Sequence, residues 1–220
     1  LSEYTKKLPK PMVKINNVPI ILHIMKHFKR YGFSNFCLAL GYKGSIIKKF
    51  FKKKKFKWCS VNLINTGKDV MTGGRLKRLQ KFLEDEQDFF LTYGDGVSNI
   101  NLKKLLKFHK KNKKIATISA VRPPARFGFI KLNGKKIKYF KEKSNLDEGW
   151  INGGFMVLNK KIFSYLKNDN TYLERDPMEK LSKAGQLYAF KHNGFWQCMD
   201  TLRDKEILEK SIKQKKHLAR

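Results

Sequence analysis

The sequence predicts an α/β fold with a mostly parallel sheet. Three observations predict it. Short apolar runs at residues 36–40 and 89–93 stop at glycines, Gly41 and Gly94. Segments with apolar residues at helical spacing lie between runs that read as strands. The two kinds of segment alternate up to residue 121, the order that threads helices between parallel strands. A length of 220 residues suits one domain.

Residues 18–31 read as an amphipathic helix. Pro19 suits its first turn, Ile20, Ile21, Ile24, Met25 and Phe28 make the apolar face, and Gly32 stops it. Residues 36–40 form a buried strand, and Ser45 is placed to cap a basic helix that runs to Lys55. Residues 60–64 alternate as a strand. Thr72, Gly73 and Gly74 precede a helix over residues 75–83. The buried strand at 89–93 ends in Gly94-Asp95-Gly96, and a helix over 102–111 and a β-rich strand over 115–121 follow. Pro123-Pro124 then breaks the chain. Residues 127–132 and 136–141, joined through Asn133-Gly134, read as a β-hairpin. Beyond it come a strand at 155–158, helices near 161–166 and 178–184, a strand at 187–192 and a basic helix over 203–216. The expected organisation is one domain, residues 1–220, containing a small β-rich part at 122–158. The chain enters through a polar loop at residues 1–11, and its first residue is Leu1 rather than Met. A first strand is therefore expected upstream.

The charge balance is 49 Lys+Arg against 18 Asp+Glu, a net +31. Such a balance raises nucleic-acid binding. But 41 of the 49 cations are Lys and 8 are Arg, whereas bidentate phosphate gripping and base readout favour Arg. The lysines are also spread along the chain from Lys6 to Lys216, so the sequence reads as a solvated surface and argues against nucleic acid. Seventeen Phe and three Trp oppose disorder. No apolar run is long enough to span a bilayer, so no membrane is expected. Cys37, Cys59 and Cys198 are far apart in sequence, which fits reduced thiols and a cytoplasmic location.

Asp95 is the sharpest local signal. A carboxylate between glycines at the carboxyl end of a buried strand sits where open α/β sheets bind ligands; an ordinary turn is the plain alternative. Asp200 is the second carboxylate, with a helix cap as its alternative. Two carboxylates from distant segments, completed by substrate phosphates, suit Mg²⁺. Thr72-Gly73-Gly74-Arg75 opens a helix, where backbone N–H groups and Arg75 could hold an anion. Asn152-Gly153-Gly154 permits close backbone approach before a strand. Lys10 stands between Pro9 and Pro11, which hold it extended and suit it to a phosphate. His23 and His27 stand at i, i+4, but the glutamate of a zinc-protease motif is missing.

Taken in order, six segments resemble the glucose-1-phosphate cytidylyltransferases, a branch of the sugar-phosphate nucleotidyltransferases. They are Lys10-Pro11-Met12-Val13, Gly41-Tyr42-Lys43-Gly44, the Met71-Thr72-Gly73-Gly74-Arg75 stretch, Tyr93-Gly94-Asp95-Gly96, Ile151-Asn152-Gly153-Gly154-Phe155 and the stretch from Gly194 to Asp204 containing Trp196-Gln197-Cys198-Met199-Asp200-Thr201. The resemblance spans nearly the whole chain. It implies a Rossmann-like nucleotide-diphospho-sugar transferase fold with a β-rich sugar-binding part. The implied reaction joins CTP and α-D-glucose 1-phosphate into CDP-glucose and pyrophosphate, which supplies dideoxysugars for O-antigen-type surface polysaccharide. By the same resemblance Lys10 is a catalytic phosphate contact and Asp95 a catalytic residue, and Asp95 and Asp200 hold Mg²⁺. Thr72, Gly73, Arg75, Gly94 and Trp196 contact substrate, and Glu142, Lys143, Asn152 and Gly153 face the sugar. A homo-oligomer is also implied. The sequence departs from the family in three places: a glycine-rich loop ending Gly-Thr-Arg is expected before Leu1, the segment between residues 51 and 66 is short, and Ser144 stands where the family has Pro. Two other readings are an inactive remnant that binds sugar phosphate and an electrostatic RNA binder.

Overall fold

The structure, a computed structural model, describes residues 1–123, 129–141 and 149–214. A short helix α1 (Ser2–Thr5) leads through a 3-10 turn, Lys10–Met12, into a tiny hairpin of β1 (Lys14–Ile15) and β2 (Val18–Pro19). Then come α2 (Ile20–Arg30), β3 (Asn35–Leu40), α3 (Gly44–Lys53), β4 (Ser60–Asn65), α4 (Thr72–Arg78) and β5 (Asp88–Leu91). The middle of the chain supplies β6 (Gly96–Ser98), α5 (Leu102–Asn112), β7 (Ala116–Val121), the hairpin β8 (Phe129–Asn133) and β9 (Lys136–Lys141), and β10 (Ile151–Asn159). A 3-10 turn at Lys160–Tyr165, α6 (Asp176–Lys183), β11 (Leu187–His192), β12 (Trp196–Cys198) and α7 (Leu202–Lys213) complete it.

The largest sheet has the order β11-β7-β10-β5. Strand β11 is parallel to β7, while β10 is antiparallel to both β7 and β5. Three of these four strands therefore run one way and β10 runs back between them. Strands β3 and β4 form a separate parallel pair. The expected β-rich part divides in two: β10 lies inside the main sheet, and the β8–β9 hairpin pairs only with itself among the described residues.

Side-chain alternation on β10 explains why it is buried on both faces. Phe155 and Val157 join Ile24, Phe28, Leu102 and Leu105 from α2 and α5 in one core. Met156 and Leu158 point the other way, into a core with Leu76 of α4 and Met178 and Leu181 of α6. Helices thus cover both sides of the sheet, as in other α/β domains. A third cluster joins Ile21 and Met25 of α2 to Leu40 of β3 and Ile47 and Phe51 of α3. Burying a side chain such as Phe155 contributes about 1.5–3 kcal/mol. Among the described residues no helix is long and apolar enough to cross a membrane.

Candidate active site

One short ladder brings two remote carboxylates together. Strand β6 pairs antiparallel with β12, with Gly96 opposite Cys198. Asp95 precedes the first strand and Asp200 follows the second, so both leave the same end of the ladder. The Met199 N–H donates to the Asp95 carbonyl at 3.0 Å and fixes the crossing. Lys10 reaches this point on its 3-10 turn, and its Nζ donates to Asp95 Oδ2 at 2.7 Å and to Asp200 Oδ1 at 2.6 Å. Gly94 allows that approach, because a Cβ there would lie 2.7 Å from Cγ of Pro11. Burial alone would lower the Lys10 pKa, but the bonds to Asp200 and Asp95 outweigh it and the net shift is upward. The ammonium is held charged between two carboxylates.

Asp200 is not the cap of the last helix. Thr201 caps α7, its hydroxyl accepting from the Asp204 N–H at 3.1 Å while the Asp204 carboxylate accepts from the Thr201 N–H at 2.9 Å. The Asp200 side chain is 55% exposed, which leaves this edge of the pair accessible to a ligand. Burial, and then the Asp200 carboxylate that accepts from its Sγ, push the Cys198 thiol up to about 12.

The start of α4 is built differently from the expectation. The N–H groups of Gly73 and Gly74 donate to the Thr171 carbonyl at 2.9 and 3.2 Å. A Cβ on Gly73 would lie 2.8 Å from that oxygen, and one on Gly74 would lie 2.5 Å from the Asp169 carbonyl oxygen. The glycines thus serve close packing against the 169–173 segment, and the amides proposed to cradle an anion are already paired. Arg75 donates to Thr66 Oγ1 at 2.9 Å and to the Lys68 carbonyl at 3.0 Å, and its guanidinium fills the space beside Gly41. Burial, and next the Arg78 charge, lower its pKa. The Gly41 and Arg75 motif segments are in direct contact.

Thr72 leads to a residue that sequence reading missed. Its hydroxyl donates to Glu174 Oε2 at 2.6 Å and accepts from the Leu173 N–H at 2.9 Å. The other Glu174 oxygen accepts from the Tyr93 hydroxyl. Burial, and then Glu174, raise the Tyr93 pKa. Glu174 lies in an irregular stretch before α6 with no flanking motif to mark it.

On the sugar-side expectation, Asn152 Oδ1 accepts from the Gly154 N–H at 2.9 Å, and Gly154 holds φ +78°. Gly153 presses on β7, where a Cβ would lie 2.7 Å from Val121 Cγ1. The Trp196 indole donates to the Gly153 carbonyl at 2.8 Å and so ties β12 to β10. Glu142 and Lys143 lie outside the described residues.

For a metal ion, the donor set is two carboxylates already gathered about one cation. That set suits a hard divalent ion completing its shell with water and phosphate oxygens. Among the described residues no three His, Cys, Asp or Glu side chains are grouped so as to hold a metal ion by themselves. His23 and His27 do not pair: each ring faces a backbone carbonyl, of Ile15 at 3.1 Å and of Ile100 at 2.9 Å.

Comparison with known proteins bears on this arrangement. The nucleotidyl transferase family matches residues 1–205. A glucose-1-phosphate cytidylyltransferase of Salmonella typhimurium is 41% identical over 230 aligned positions, covering 95% of this chain and 90% of that protein. A Bacillus subtilis protein named "Probable glucose-1-phosphate cytidylyltransferase" is 38% identical and covers 95% of this chain and 89% of its own length. The crystal structure of HddC from Yersinia pseudotuberculosis shares the fold, with a TM-score of 0.73 at 24% identity over 93% of this chain and 90% of that one.

Proposed function

The chain belongs to the nucleotidyl transferase family, and from that premise we propose that it transfers a cytidylyl group from CTP to α-D-glucose 1-phosphate. The products are CDP-glucose and pyrophosphate. The observation that carries the reading is the meeting of Lys10, Asp95 and Asp200, three residues from remote segments, at one accessible point. Relatives named for this reaction support the choice of base and sugar.

In the reaction, an oxygen of the sugar phosphate attacks the α-phosphorus of CTP. The bond from that phosphorus to the bridging oxygen breaks, and pyrophosphate leaves. No covalent bond to the protein is needed, so the protein positions the reactants and offsets charge. Lys10, its pKa raised despite burial by the two aspartates, would carry a positive charge to the point where phosphate oxygens gather. Its two aspartate partners keep the ammonium oriented before substrate arrives. Asp95 and Asp200 would hold Mg²⁺, which when bound neutralises phosphate charge. Arg75 would shape the nucleotide side, Thr72 and Gly94 would contact substrate, and Asn152 and Gly153, with Trp196 bonded to Gly153, would face the sugar together with Glu142 and Lys143. A cytoplasmic homo-oligomer supplying sugars for surface polysaccharide completes the reading.

Pyrophosphate release from CTP, UTP and dTTP, each with glucose 1-phosphate, tests it. Turnover with CTP well above the other two is the expected result. Equal turnover with all three would overturn the base assignment, and none with any would overturn the activity.

A further inference from the structure

We propose that Glu174 is a positioning residue for the sugar phosphate and acts through Tyr93. The inference rests on the cytidylyl-transfer reading and names the half of it that this side chain serves.

Glu174 divides its two carboxylate oxygens between two hydroxyl donors on different elements. Thr72, at the start of α4, donates at 2.6 Å, and Tyr93, beyond the end of β5, donates to the other oxygen. Thr72 already accepts from the Leu173 N–H, so its single proton is committed to Glu174. Tyr93 is committed in the same way. The Asn152 carbonyl oxygen holds the Gly154 N–H at 2.9 Å. The Tyr93 ring lies against Gly154, where a Cβ would come within 2.7 Å of Cδ2. A chain of contacts therefore runs from Glu174 through Tyr93 to Asn152 and Gly154, beside Gly94-Asp95.

The chemistry of the chain matches a hexose. Phosphates favour cations and N–H donors, and Lys10 supplies a cation at the two aspartates. A carboxylate, a phenol and an amide are instead the partners of neutral hydroxyl groups. Glu174 is exposed, and bonds that water could replace contribute little to folding. Its two partners lie on the wall of the candidate site, so its effect falls on the orientation of Tyr93 and Asn152.

The test is steady-state kinetics on the full chain with Glu174→Ala, Glu174→Gln, Tyr93→Phe and the double variant Glu174→Ala/Tyr93→Phe. Glucose 1-phosphate is varied at saturating CTP, and CTP at saturating glucose 1-phosphate. We expect Glu174→Ala to raise KM for glucose 1-phosphate about tenfold, the scale of a lost hydrogen bond to a charged group. KM for CTP should stay within about twofold, which marks a ground-state effect on one substrate. Glu174→Gln, which keeps one acceptor, should fall between. The double variant should be no worse than Glu174→Ala, because the two residues act as one unit. Equal rises in both KM values, or a kcat loss that tracks a lower melting temperature, would show a merely structural role and overturn the proposal. An unchanged KM for glucose 1-phosphate overturns it too. Should the wild-type chain fail to turn over CTP, the cytidylyl reading fails by itself. Calorimetric titration of glucose 1-phosphate then decides for Glu174: weaker binding by Glu174→Gln than by wild type sustains it, and equal or absent binding overturns it.

Discussion

Replacing Lys10 by Met separates two jobs of one ammonium group. In the free protein it pairs with both Asp95 and Asp200, at 2.7 and 2.6 Å. During transfer it would face the phosphates. Met keeps most of the apolar stem and removes the charge. Both hydrogen bonds are partly exposed, so each contributes about 0.2–1 kcal/mol. A divalent ion that enters between the carboxylates has to displace both. Their removal should therefore tighten divalent-ion binding to the free protein by about 2- to 30-fold. Turnover should move the other way and fall by about 10²-fold or more, the scale of a lost charge stabiliser in the transition state. Calorimetry with Mg²⁺ and pyrophosphate release on the same sample read the two effects. Lys52→Met and Lys113→Met, at exposed positions, should leave both unchanged. Unchanged or weaker ion affinity in Lys10→Met would refute the competition argument. Equal losses from all three variants would show that general positive charge, not position, matters.

Asp95→Asn should lower turnover by about 10²-fold or more with the fold intact; circular dichroism and pyrophosphate release check this, and near wild-type turnover would remove Asp95 from the site. Gly153→Ala should cost about 1–3 kcal/mol, because its Cβ would meet Val121 and Ser119 at 2.7 and 2.8 Å; an unchanged melting temperature would contradict the close packing. Burial, the leading cause in each case, lowers the pKa values of His23, His109 and His192. The unfolded chain therefore takes up these protons first, at about pH 6.5, and stability is fully present above that pH and falls below it. Melting temperature should drop between about pH 7.5 and about pH 5.5, and a flat profile would count against it.

How much was legible in the sequence depends on whether local or distant contacts decide. Residues 187–192 read as a strand and are β11, which pairs parallel with β7 along its whole length. The helix expected from residue 75 begins at Thr72 and gives way to a 3-10 turn at Gln80–Phe82. Its two glycines argue against helix by propensity, but contacts with Thr171 and Asp169 override them. Ser45 does not cap α3; Lys43 takes φ 51° and the helix starts at Gly44. The strand expected at 155–158 extends to Ile151–Asn159: β5 pairs only with residues 156–159, and β7 alone carries it back past Gly154 and Gly153 through a register shift. Asp95, Lys10 and Asp200 could each be picked out singly. Their convergence depends on the pairing of Gly96 with Cys198, a contact across about a hundred residues that no local pattern encodes.

The same distinction decides what the glycine motifs are for. Read locally, Thr72-Gly73-Gly74 looks like a helix start that bares its N–H groups to an anion, and Gly94-Asp95-Gly96 like a strand-end turn that presents a carboxylate to a ligand. In three dimensions Gly73 packs against Thr171, Gly94 against Pro11 and Gly154 against Tyr93. Each glycine removes a side chain so that two segments bearing polar groups can touch. The pairing of the Gly73 and Gly74 amides with Thr171 then has a consequence for charge. A substrate phosphate held in this site would therefore be held by side chains rather than by these amides, and Lys10, which the Gly94–Pro11 contact positions at Asp95 and Asp200, is the candidate. An Ala at position 94 would therefore act as a Lys10 mutation, by displacing the turn that carries it.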